Sequence, residues 1–184
     1  MNSTSMTLAD AVLPQRRALR DTLLVLGASG VLALASKIAI PLPFTPVPVT
    51  MQTLAVLLIG MVLGSKRGAL ATLVWLGGGV LGLPVLATGA FTGGYLVGFV
   101  LAAFVVGLLA ERGWDRRPLT TVAAMTIGSA IILACGALWL GLFVGFPAAL
   151  TQGVLPFLPG DALKIAAAST ALPLAWSRLG RAQP

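Results

Sequence analysis

Two stretches of this chain, residues 68–110 and 118–160, contain no charged side chain, and each is 43 residues long. As one helix, such a stretch would extend about 65 Å at ~1.5 Å per residue, roughly twice the ~30 Å hydrocarbon layer of a bilayer. Each must therefore turn and come back. A third stretch, 22–65, is interrupted only by Lys37. Three hairpins predict six transmembrane helices, an all-α polytopic membrane protein with spans over 22–40, 50–65, 68–82, 93–111, 119–145 and 160–177. Charged residues make up only 9% of the 184 and hydrophobic ones 58%; a soluble domain carries ~25% charge. The chain reads as one membrane domain over 1–184, a bundle over 22–177 flanked by segments 1–21 and 178–184.

The middles of the three stretches carry the helix breakers. Residues 40–50 read IPLPFTPVPVT, residues 79–94 GVLGLPVLATGAFTGG and residues 144–160 VGFPAALTQGVLPFLPG, and eight of the twelve prolines lie in them. Proline removes a backbone donor and clashes with the preceding turn, so these segments are expected to be turns.

Cations give the orientation. Arg16, Arg17, Arg20, Lys66, Arg67, Arg112, Arg116, Arg117, Arg178 and Arg181 all fall on one side if there are six spans. The positive-inside rule then places both termini in the cytoplasm, in a multi-pass protein of the cell membrane. The same distribution accounts for the net charge of +7, because topology anchors in short loops form no basic face for nucleic acid. Residues 1–21 lack a small-residue cleavage site, so the first span is expected to be retained. Cys135 stands alone in mid-span as a packed small residue.

The sixth span begins PFLPGDALKIAAA, with Asp161 in its first turn and Lys164 three residues on. That spacing puts both side chains on one side of a helix. One reading is a helix cap with an internal ion pair; the other, which we favour, is a ligand site, because ionisable groups among apolar ones usually line a cavity or pathway. Thr88, Thr92, Gly93 and Tyr95 in the turn before the fourth span offer hydroxyls, close backbone approach and an aromatic surface. Gln52 and Thr50 open the second span and either border the same pocket or satisfy helix ends. Lys37 reads as a snorkelling anchor. Trp75, Trp139 and Trp176 read as packing or interface residues. Ser29, Ala33 and Ser36 form a small-residue stripe on the first span, suited to close approach within the bundle or to a membrane partner. No HExxH, paired catalytic carboxylates or phosphate loop is present, and the chain has no histidine, so catalysis, metal and cofactor are not expected.

The segments IPLPFTPVPVTMQTLAVLLIGMVLGSKRGALATLVWLGGGVLGLPV, TGGYLVGF and GVLPFLPGDALK, in that order, resemble the BioY family, the biotin-binding S components of energy-coupling factor (ECF) transporters. The resemblance implies a six-helix S-component fold that captures biotin near its outer face for uptake, with Asp161 accepting the ureido N–H and Lys164 supplying positive charge to the valerate carboxylate or a hydrogen bond to a ligand oxygen. It also implies partners, a transmembrane T component and cytoplasmic ABC ATPases, with the Ser29–Ala33–Ser36 stripe facing the T component in the bilayer. The loop after GLPV is shorter than is common in the family. Phe91 stands at a proline position, and the family's loop asparagine has no match, leaving Thr88, Thr92 or Tyr95 to take its place. Two other functions remain open: an S component for another small vitamin, and a non-transport membrane scaffold.

Overall fold

A computed structural model describes residues 6–13, 18–85 and 89–182. It is an all-α bundle built from α1 (Leu8–Val12), α2 (Ala18–Ala35), α3 (Gln52–Leu63), α4 (Ser65–Val80), α5 (Gly93–Glu111), α6 (Pro118–Val144), α7 (Phe146–Gly153) and α8 (Leu158–Ala182), with a two-stranded ladder of β1 (Ala39–Ile40) and β2 (Val49–Thr50). Among the described residues, three helical segments are long and apolar enough to cross a membrane, Ala18–Ala35, Ala90–Glu111 and Pro118–Val144; Gln52–Leu63 is apolar but shorter. α5 lies at the centre, packed on α3, α4 and α6. Leu32, Val56, Met61, Ala71, Val106, Met125 and Leu140 are fully buried in the common core.

Three local expectations are corrected. The first span was expected to reach residue 40, but α2 ends at Ala35 and residues 39–40 pair with 49–50 in antiparallel register, Ala39 opposite Thr50 and Ile40 opposite Val49. A residue before proline is driven to extended backbone, and Ile40, Leu42 and Val47 each precede one. Residues 144–160 were expected to be a turn, yet they contain α7 and a 3-10 turn at Leu155–Phe157. Pro147 falls at the start of α7, where a missing N–H costs nothing because it has no intrahelical partner. Pro159 likewise lies in the first turn of α8 and not before it.

Gly64 joins α3 to α4 with φ of 85°, a conformation that side chains disfavour. A Cβ there would also lie 2.7 Å from Glu111 Oε1. That carboxylate accepts the Ser65 N–H and Oγ–H, both at 2.8 Å, supplying an acceptor to a helix start that would otherwise leave its donors bare.

The end of the bundle that holds the α3–α4 and α5–α6 turns is laced by ion pairs. Asp10 of α1 receives Arg67 Nη2 at 2.7 Å and Arg20 Nη2 at 3.1 Å, and Thr7 Oγ1 donates to it at 2.8 Å. Trp176 Nε1 donates to the fully buried Asp115 at 2.5 Å, and the Arg116 guanidinium lies 4.5 Å from the Trp176 ring centre, close enough for a cation–π contact. Both ends of the described chain therefore sit with these two turns. Arg16 and Arg17 lie outside the described residues.

The two buried acids of this end respond to pH with opposite signs. Burial alone would raise the Asp10 carboxyl, but hydrogen bonds from Arg67 and Thr7 and the charges of Arg67 and Arg20 hold it below the usual carboxylate range. Its contribution to stability is present above the unfolded-state pKa and is lost as pH falls through the lowered folded-state value. Asp115 is raised by burial, which outweighs the Trp176 hydrogen bond, so its contribution is lost instead as pH rises through the raised value. Thermal unfolding followed from neutral to strongly acidic pH should show Asp10→Asn less stable than the parent at neutral pH, the two converging in acid. A constant gap across that range would show that the Asp10 ion pairs do not set it.

Candidate functional site

The first turn of α8 packs against the middle of α6 and the start of α3. Asp161, in the first turn of α8 and 6% exposed, accepts a short hydrogen bond from Ser129 Oγ, and Ser129 lies near the middle of the 27-residue α6. The cap reading expected the carboxylate to take orphan backbone donors. Its partners among the described residues are side chains instead: Ser129, and Lys164 at 3.4 Å. Lys164 Nζ also donates to Thr53 Oγ1 at 2.6 Å and to the Thr50 carbonyl at 2.9 Å. All three ammonium donors are thus engaged, whereas the carboxylate, which has about four acceptor positions, keeps about two. Lysine ties α8 to the start of α3, and the acid remains the open acceptor.

The pair lines a cavity of about 30 Å³ between α3, α5, α6 and α8, on the side of the proline-rich loops. Its walls are mixed. Tyr95, Phe99 and Phe157 supply aromatic surface, Leu96, Ile132 and Leu133 aliphatic surface, and Thr50, Gln52, Thr53 and Thr92 polar atoms. The Tyr95 and Phe157 rings lie 6.0 Å apart, within the range of favourable aromatic pairing. Below the pair, towards the ion-paired end, Val106, Met125, Met61 and Leu172 fill the interior.

The structure brings four of the expected ligand residues besides Asp161 and Lys164 near this place, in different roles. Gln52 lines the cavity but is already committed, its Nε2 donating to Ser36 Oγ at 2.8 Å and its Oε1 accepting from Thr50 Oγ1 at 3.0 Å. Thr92 is buried at the wall with its hydroxyl on the Gly89 carbonyl at 2.8 Å. Tyr95 presents its ring, while its hydroxyl donates to the Gly153 carbonyl at 2.6 Å. Gly93 packs: a Cβ there would lie 2.9 Å from the Trp139 ring. Thr88 lies outside the described residues. Lys37, expected to snorkel, donates to the Pro84 carbonyl and closes one loop on the other.

Of the small-residue stripe, Ser29 donates to the Ala71 carbonyl of α4 at 2.7 Å, Ser36 receives Gln52, and Ala33 is partly buried against the core. These contacts lie within the bundle. Ser129 and Thr53 are the polar site residues that sequence reasoning passed over. Their hydroxyls are unremarkable in an apolar helix until α8 is laid beside them.

Residues 3–181 match the BioY family profile. The chain belongs to the BioY family. Among BioY relatives, the biotin transporter BioY of Rhizobium etli is 38% identical over 168 residues, which cover 82% of this chain and 89% of the relative. The biotin transporter BioY of Rhodobacter capsulatus is 42% identical over 165 residues, covering 78% and 86%. Among solved structures, the S component for biotin from an ECF-type ABC transporter superposes with a TM-score of 0.72 over 86% of this chain and 92% of the other, at 22% identity. The BioY chain described here therefore has the S-component fold.

Proposed function

We propose that this chain captures biotin for uptake across the cell membrane, as the substrate-binding S component of an ECF-type transporter. The observation that carries this reading is Asp161, a buried carboxylate with unfilled acceptor positions on a cavity that otherwise combines aromatic and aliphatic walls. A ureido ring offers two N–H groups to such an acceptor, and an apolar ring system and chain suit the walls. The names of the BioY relatives and of the structural neighbour point to the same ligand. In this reading Asp161 takes the ureido N–H and Lys164 supplies the compensating charge and faces the carboxylate end of the ligand. Thr92, Gln52 and the Tyr95 ring border the ligand, and Gly93 and Thr88 are assigned to the same site from the family motif.

Transport would then need a T component in the bilayer and a pair of ABC ATPases, which would hydrolyse ATP while this chain binds without catalysis. Six membrane crossings with both termini cytoplasmic fit the placement of residues 6–13 and of Trp176 beside the α3–α4 and α5–α6 turns. The cavity then faces outward, and the packed core below it separates ligand from cytoplasm.

Equilibrium binding of labelled biotin to the purified full-length protein in detergent is expected to be saturable, with displacement by unlabelled biotin and not by thiamine or riboflavin. Displacement by either of those would favour another vitamin as the ligand. A folded bundle that binds none of them would favour the scaffold reading.

A further inference from the structure

The cavity beside Asp161 is smaller than any ligand of this class. About 30 Å³ admits one or two water molecules, whereas sites for small molecules commonly enclose ~300–1,000 Å³. On the other face of the same carboxylate, between α6, α7 and α8, lies an open groove of about 460 Å³. Asp161 and Leu133 line both spaces. The segment Phe146–Phe157 borders both spaces: Leu150 and Val154 line the groove, and Phe157 lines the small cavity.

The C-terminal end of this segment is fastened by an unusually close fit. Tyr95 reaches from α5 past α6 to donate its hydroxyl to the Gly153 carbonyl. A Cβ at Gly136 would lie 2.2 Å from the Tyr95 ring and one at Gly153 would lie 2.6 Å from its hydroxyl oxygen, so both positions are shaped around this side chain. At its other end the segment hinges on Gly145, whose φ of 82° admits a sharp reversal after α6.

Resting on the reading of this site as a biotin site, we propose that Phe146–Phe157 is a strap that must swing aside for the ligand to enter or leave, and that Tyr95 is its catch. Releasing the Tyr95–Gly153 hydrogen bond moves Phe157 off Tyr95 and joins the small cavity to the groove, giving a space of ligand size with Asp161 at its centre. Tyr95 is thus a positioning residue, and its hydroxyl governs the rate of exchange while its ring remains part of the wall.

Tyr95→Phe keeps the ring and deletes the catch. In the full-length protein the association and dissociation rates of labelled biotin should both rise, each about three- to tenfold, as expected for loss of one hydrogen bond that holds the strap closed. Unchanged rates, or a faster dissociation with matching loss of affinity, would overturn the proposal, the latter by showing that the hydroxyl touches the ligand. Amide hydrogen exchange in the parent protein decides the matter independently of whether the variant folds. Residues 146–157 should exchange faster than α6 in the free protein and become protected when biotin is added; equal protection in both states would refute the strap. Failure of the parent protein to bind biotin would count against the proposed function instead.

Discussion

Asp161→Asn should weaken biotin binding by roughly ten- to a hundredfold while leaving the bundle folded, since a hydrogen bond to a charged group is worth about 1.5–3 kcal/mol. The substitution keeps the shape of the side chain but replaces one acceptor oxygen with a donor, where Ser129 and Lys164 already donate. Lys164→Ala has a different expected outcome. Removing the ammonium leaves the buried carboxylate without a counter-charge, a loss of about 3–5 kcal/mol in comparable pairs, and also detaches α8 from Thr50 and Thr53 of the α3 start. Thermal unfolding measured beside binding separates the two: in the asparagine variant Lys164 keeps its bonds to Thr50 and Thr53, so affinity falls with a smaller loss of stability than in the alanine variant, which loses both. Equal affinity in parent and Asp161→Asn would remove Asp161 from the ligand contacts.

The second large effect is expected at the contact between α5 and α6. A Cβ on Gly94 would lie 2.3 Å from the Cys135 carbonyl oxygen and 2.3 Å from Trp139 Cβ, and one on Gly98 would lie 2.9 Å from the Ile132 Cα. Backbone atoms cannot rotate away as a side-chain tip can, so Gly94→Ala forces the helices apart, at a cost of about 1–3 kcal/mol or more. Because Ile132 and Leu133 form the α6 wall of the cavity, biotin binding should fall together with the unfolding temperature. Gly27→Ala and Gly77→Ala are the matched controls. Nothing lies within 4 Å of a Cβ at either position, and alanine favours a helix over glycine by up to ~1 kcal/mol, so both should be neutral or slightly stabilising. A Gly94→Ala protein as stable as these controls would show that α5 and α6 do not pack as described.

These two predictions divide along a line that runs through the whole molecule. That Asp161 and Lys164 share a face is legible from their spacing, because the helical period is local. That the acid meets Ser129, 32 residues earlier, and the lysine meets Thr50 and Thr53, more than a hundred residues earlier, is not. Only the packing of α8 against α6 and the start of α3 sets these partners. Tyr95 was expected to offer a hydroxyl to the ligand, yet Gly153 takes it. The partner of a hydroxyl depends on which chain segment passes by, and local sequence does not encode that.

By itself, the sequence determined the class of protein, the apolar stretches, most turn positions and the membership of a single family, because burial in hydrocarbon forbids charge along a whole stretch and proline and glycine act on their own residues. Only the tertiary structure decided which face of each apolar helix looks inward. Helices that are apolar on every side carry no periodic signal of their orientation, so the inward packing of Ser29 and Ser36, the close glycine contacts between α5 and α6, and the two spaces that meet at Asp161 emerge only when the helices are placed side by side.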